Sequence, residues 1–266
     1  MIVPKSISAV VLLALACAAP VAAQDMMRHV DLTSPEMTSA ELTRAEVEAA
    51  LAAATPERPA DFTGKRLSGL DLSGLDLSGA VLRAAKLNKA KLADAKLDRA
   101  ILDQAWLMEA DLRSASLKGA NIFSAQMQRA RLDGADLSGA RIAADLTGAS
   151  LTGARLIGAN LAADMKNQSM GLMRAVLKSA NLEGAILRDA DLSRVDLEFA
   201  SLKNADLGNV SLRGAALGGA NLTGVNIAGA DFLGADLTST RLVAPVGLEA
   251  ARNFDQAKNI DRLLRN

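Results

Sequence analysis

From Phe62 onward an apolar residue, mostly Leu, returns at every fifth position, usually with Ala two places before it and polar residues or Gly elsewhere. A period of five fits no regular element. On an α-helix five residues turn through about 500°, so successive leucines would be displaced by roughly 140° and could not share one buried stripe. On a continuous strand an odd spacing throws every second Leu onto the opposite face. Each repeat must therefore contain its own bend: a short extended piece, then a turn, with the central Leu and the Ala two before it facing inward. The Gly that often closes the repeat, as at Gly134, Gly139, Gly148, Gly153 and Gly158, suits the positive φ of a tight turn. Four such sides close a square coil, and coils stack through parallel strand-like hydrogen bonds at about 4.8 Å.

The repeat is read most plainly in "ADLSG" at Ala135, "ANLEG" at Ala180, "ANLTG" at Ala220 and "ADFTG" at Ala60. In this pattern the chain resembles the pentapeptide repeat proteins, whose motif is A(D/N)LXX. The resemblance implies an all-β solenoid, a right-handed quadrilateral parallel β-helix. Central residues from Phe62 to Leu242 number 37, which at four per coil predicts about nine coils over residues 60–243.

The period falters twice. Ile142 to Leu146 and Leu161 to Met165 are four-residue steps, both reading Ala-Ala-Asp, at Ala143–Asp145 and Ala162–Asp164. They lie nineteen residues apart, one shortened coil, so they are expected to stack on the same corner. Seven residues then separate Met165 from Leu172, which predicts a bulge over Lys166–Gly171 and a return to the original phase at Leu172.

The first 23 residues carry Lys5, an apolar run from Ile7 to Ala16 and a small-residue cleavage pattern ending at Ala23. They read as a secretory signal peptide, too short to span a membrane and remain there. The sole Cys, Cys17, offers lipoprotein anchoring as the alternative. Cleavage after Ala23 would leave an exported, most simply periplasmic, chain with no disulfide and no transmembrane segment. Residues 24–37, which contain the lone His29, read as a flexible leader.

A solenoid must cap its open ends. Thr38 with Glu41 suggests a capping box for an N-terminal helix within 38–59, with Leu42, Ala45, Ala49 and Ala52 at helical spacing and Pro56 and Pro59 after it. Beyond Pro245, Leu248, Ala251, Phe254, Ala257, Ile260, Leu263 and Leu264 suggest a C-terminal helix over 244–266. Such a helix would serve as a lid or, as in some members of the resembled family, as a homodimer contact.

Net charge is zero, with 30 basic and 30 acidic residues, but residues 65–130 hold 11 basic against 7 acidic. Arg83, Lys86, Lys89, Lys91, Lys96 and Arg99 crowd into one coil, and Trp106 and Phe123 take outward positions nearby. Lys86, Lys91, Lys96 and Trp106 are therefore the candidate interaction face, suited to a protein or to an anionic surface such as phosphate headgroups or an acidic polysaccharide. The opposing reading is a solvated surface of cancelling charge, in which Asp71, Lys91, Asp111 and Arg131 stack as an alternating ladder.

Function is thus expected to be non-enzymatic: an envelope interaction scaffold with no cofactor, whose Leu and Ala core leaves no room for a small molecule. The resemblance also carries DNA-mimicking topoisomerase inhibition, which near-neutral charge and an export signal disfavour, as they do nucleic acid in general. A polysaccharide-acting β-helix enzyme would need carboxylates such as Asp191 and Asp231, two coils apart on one face. Both stand at the second position of the repeat, where the resembled family places Asp or Asn for turn and solubility reasons, and the chain has no Tyr. Met165, Met170 and Met173 around "KNQS" could hold a soft metal, though Met also fills irregular core gaps.

Overall fold

The computed structural model describes residues 30–163 and 174–266. Leu32–Asn266 forms one compact unit, and Met1–Asp31 another of which only Val30 and Asp31 are described. The expected signal peptide, Cys17 and His29 lie outside the described residues.

The period of five becomes a parallel β-helix. Second-position residues pair in parallel with those one coil on: Asp71 with Lys91, Lys91 with Asp111, Asp111 with Arg131, always twenty apart until the phase breaks. The five residues Asp191–Val195 show why the repeat folds this way. The N–H of Asp191 donates to Ala159 O in the coil below, and the N–H groups of Leu192 and Arg194 donate to Ser211 O and Arg213 O in the coil above. The N–H of Val195 closes the turn on Leu192 O, and the fourth-position N–H, on Ser193, donates to the Asp191 carboxylate at 2.9 Å. Every backbone donor of the side is satisfied, which a buried chain requires. The Asp or Asn of the motif is there to take the one N–H that neither neighbour reaches. Bends fall at the fifth residue, whose φ is near +60° whether it is Gly or not.

Inward positions are filled continuously. Leu82, Leu102, Leu132, Leu156, Leu187 and Leu217 are fully buried, with Ala or Val between them and Phe62 and Phe232 nearer the ends. Each buried Leu contributes about 1.5–3 kcal/mol, and because each coil touches only its neighbours that stabilisation accumulates along the stack.

The first missed beat is a tightened corner, as its four-residue step requires. Strand β1 (Asn121–Gln126) pairs in parallel with β2 (Arg141–Asp145), and the register slips between Phe123 and Gln126. Ala143 and Ala144 are both buried there, because two methyl side chains fit where a longer residue would not. Leu161 stacks over Ile142 through the pairing of Arg141 with Asn160, so the second short step starts over the first, while its far end, Asp164 and Met165, lies outside the described residues.

The inward residues from Leu177 onward keep the original phase, while the expected point of return, Leu172, lies outside the described residues. Asp145 pairs with Val176, not with residue 165, and the N–H of Ala175 donates to Leu161 O at 3.3 Å. In every regular side that turn bond joins residues three apart. Leu161 and Leu177 thus lead successive sides joined by one turn. Met165 and Leu172, expected as inward residues between them, lie outside the described residues. The expected bulge at Lys166–Gly171 lies outside the described residues.

The N-terminal end is capped by α1 (Pro35–Thr38) and α2 (Arg44–Ala52). The capping box is Thr43 with Glu46, rather than Thr38 with Glu41. Thr38 turns back to Ser34 O, while Glu41 accepts from the N–H of Arg66. Helix α2 buries Val47, with Leu42 and Leu51 against the core, while Ala45 and Ala49 stay exposed. Residues 35–37 are not free leader: Met37 is buried, and its carbonyl accepts from the Asn88 amide.

No C-terminal α-helix forms. Val246, Arg252, Lys258 and Leu264 pair in parallel with Asn226, Asp231, Asp236 and Arg241, so the segment makes one more turn of the solenoid with six-residue sides. The residues at Gly247, Asn253 and Asn259 are left-handed, each starting a single 3₁₀ turn. A left-handed residue every sixth position forbids a continuing helix. Gly247 must be Gly, since a Cβ would lie 2.8 Å from the Ala228 Cα. Phe254 meets Phe232 edge-on at 5.1 Å between ring centres, which seals the core.

Candidate interaction surfaces

The three candidate lysines occupy three different sides of one coil. Lys86 pairs with Arg66 and Trp106, Lys91 with Asp71 and Asp111, and Lys96 with Asp76 and Ser116. Trp106, half-exposed, does share a side with Lys86, but Lys91 and Lys96 point elsewhere, because each step of five turns a corner. All three meet acids: Lys86 with Glu36 at 3.8 Å, Lys91 with Asp71 at 3.6 Å and Lys96 with Asp76 at 3.8 Å. Two other cations of the basic coil behave likewise, Arg83 meeting Asp103 and Lys89 meeting Glu109. Phe123, also half-exposed, is covered by Arg141, whose guanidinium lies 5.7 Å from the ring centre.

The alternating ladder is present. Arg131 lies 4.0 Å from Asp111 in the row that includes Asp71 and Lys91, and at one corner Lys89, Glu109 and Arg129 form a second, with Arg129 bonded to Glu109 at 2.6 Å. Arg129 holds the Glu109 carboxyl below its ordinary range. The side chain of Ser73 and its N–H act in the same direction on Asp71.

Asp191 and Asp231 stand on one row with Ser211 between them. Asp191 accepts from the N–H and hydroxyl of Ser193. Asp231, buried, accepts from the N–H of Leu233, from Asn253 at 2.8 Å and from Arg213 at 3.0 Å. Burial pushes its pKa up, but those donors outweigh burial and leave it below the usual carboxylate range. Both carboxylates are engaged in building turns. Among the described residues no group of three or more His, Cys, Asp or Glu is placed to hold a metal, and no helix is long and apolar enough to cross a membrane. Met165, Met170 and Met173 lie outside the described residues.

Reasoning from sequence passes over Phe199. It occupies the fifth, turn-forming place of its repeat, "DLEFA", where Gly or a polar residue is usual. It is 62% exposed, with the Lys178 ammonium 5.6 Å from its ring centre. An aromatic at a turn position was the available signal.

The closed stack of five-residue sides with a Leu and Ala interior defines a pentapeptide-repeat solenoid. The chain matches the family described as Pentapeptide repeats in 8 copies, at residues 66–104, 76–113, 100–139, 142–162, 172–209 and 205–242. These cover more than half of its length, and the chain belongs to that family, whose members imply a right-handed β-helix. It is similar to HetL of Nostoc sp. strain PCC 7120, a pentapeptide repeat protein involved in heterocyst differentiation regulation, at 30% identity over 74% of this chain and 81% of that one, with a TM-score of 0.43. It is also similar to a pentapeptide repeat protein of the Arabidopsis thaliana thylakoid lumen, at 24% identity over 63% and 68% with a TM-score of 0.22. QnrB1, a plasmid-mediated fluoroquinolone resistance protein, shares 20% identity over 75% and 86% with a TM-score of 0.28. No curated protein matches the chain.

Proposed function

We propose that the protein is a non-enzymatic interaction scaffold of the cell envelope, exported by its first 23 residues and working from the periplasm. One observation carries this reading. The interior is filled by Leu, Ala, Val, Ile and Phe, while the repeat's Asp and Asn residues serve the turns, as Asp191 does for Ser193. What remains to meet a partner is the outer surface, and a rigid solenoid offers broad, shallow contacts. The neutral, ion-paired exterior supports a partner recognised by shape and short-range contacts rather than by long-range attraction.

The test is in-cell cross-linking of the tagged full chain, followed by identification of the captured species, with subcellular fractionation of the same cells. The expected result is a specific envelope partner and a periplasmic protein that begins after Ala23. Recovery of the chain in the cytosol, or turnover of an envelope polymer by the purified protein, would overturn the reading.

A further inference from the structure

The corner built by Phe199 breaks two local rules at once. The residue has a φ of +59°, a left-handed conformation disfavoured for a bulky side chain, and it leaves its ring in solvent at 62% exposure. The conformation is the one every corner takes, but the ring is needed by no inward position, since Leu197 and Ala200 on either side are buried without it. A large aromatic left in solvent at a corner points to contact with a partner.

The surroundings specify what the ring could meet. Lys178 and Glu198 are bonded at 2.7 Å, and Lys203 lies 3.3 Å from Glu183, so the charges flanking the ring cancel. The side that begins beside Phe199 carries Asn181, Ser201 and Asn221, three uncharged residues joined in one parallel ladder that continues to Arg241, with coils at about 4.8 Å. The Asn181 and Asn221 carbonyl oxygens hold their own turns, accepting from the N–H groups of Glu183 and Thr223, and the Asn181 amide donates to Thr152. Among the described residues the Asn221 amide N–H₂ and the Ser201 hydroxyl hold no side-chain hydrogen bond. The solvent-facing part of an aromatic ring accepts the C–H face of a pyranose, and a row of amides and hydroxyls matches its alternating donors and acceptors. A polyanion would need unpaired cations, and a protein interface a wider apolar centre.

We infer that Phe199, Ser201 and Asn221 form a binding site for an uncharged oligosaccharide lying along the coil axis. The inference rests on the scaffold reading and names one ligand class for it. Cellohexaose and chitohexaose are titrated into the full chain by calorimetry and by NMR, with a heparin fragment as the polyanionic comparison. Saturable binding of a neutral sugar is expected, weakened at least tenfold in Phe199→Gly and in Ser201→Ala/Asn221→Ala. Phe199→Gly relieves the left-handed strain and should melt no lower than the parent, and Phe199→Asn, also tolerant of that conformation, is the second probe. No binding of either sugar, equal binding in Phe199→Gly, or binding of heparin alone would each overturn the site. Absence of sugar binding beside a cross-linked envelope partner retained by Phe199→Gly would remove this site while leaving the scaffold reading in place.

Discussion

The ring of Phe199 stands where a side chain on Gly219 would have to go: a Cβ there would lie 2.6 Å from the ring's Cδ1. The two residues are twenty apart, so the corner side chain of one coil leans over the corner of the next. Asn204 over Gly224 and Asn209 over Gly229 repeat the arrangement. Gly219→Ala is expected to lower stability by about 1–3 kcal/mol, combining left-handed strain with displacement of the ring. In a Phe199→Gly background only the backbone share should remain. Denaturant midpoints of the four proteins in the cycle measure the coupling, and equal losses in both backgrounds would deny it.

Buried Leu132 lies mid-stack, whereas Leu242, 7% exposed, lies at the last regular coil. Leu132→Ala should cost about 2–5 kcal/mol, and Leu242→Ala less, since it has more room to relax. Thermal or chemical unfolding of both variants ranks them, and the reverse order would be inconsistent with packing that is tightest in the middle.

At Asp231 the side chain caps a turn, bonds Asn253 and meets Arg213. Asp231→Asn keeps an acceptor for the Leu233 N–H and loses the ion pair, so a loss of about 1 kcal/mol is expected because Arg213 is half-exposed. Asp231→Ala also orphans the turn donor, and should lose about 1–3 kcal/mol more. Circular-dichroism melts distinguish these outcomes from a single shared loss.

The turn carboxylates set a pH limit. Asp61, Asp71 and Asp76 are held below their ordinary range chiefly by hydrogen bonds from Thr63, Ser73 and Ser78, and Asp236 by Thr238 and Asn259. A carboxyl depressed in the folded state contributes stability that is fully present above its unfolded pKa, about 3.9 for Asp, and is lost as pH falls through the folded value. Stability should therefore hold from neutral pH to about 5 and decline below about 4. Melting temperature across pH 2–7 is the check, and a flat profile below pH 4 would contradict the role given to these groups.

How far these features could be read in advance depended on whether they were repeated. The inward Leu positions and the Asp71 to Arg131 ladder follow from counting in fives, because each copy confirms the others. The corner at Ala143 and Ala144 was legible for the same reason, as a deletion from a known period. The turn after Leu161 was not: steps of four and seven count Met165 and Leu172 as the next inward residues, whereas the turn bond joins Leu161 directly to Ala175 and the next described side is led by Leu177. The C-terminal segment misled differently. Its apolar residues are spaced three apart, which mimics a helix, while "RNFDQA" and "KNIDRL" carry a period of six with Asn at the left-handed place. The lysines were grouped by nearness along the chain, although five residues are enough to turn a corner. Phe199 was overlooked because its meaning lies in Gly219, one coil away.

The bond from the Ala175 N–H to Leu161 O makes that turn a seam. Cutting out residues 164–174 would restore the spacing of five between Leu161 and Leu177, and refolding of such a shortened chain with an unchanged ladder can be checked by hydrogen exchange. The converse follows as well. A turn whose two ends meet at Leu161 and Ala175 is an attachment point, where an unrelated peptide could be carried on the side of a stiff fibre without disturbing the repeat that holds it.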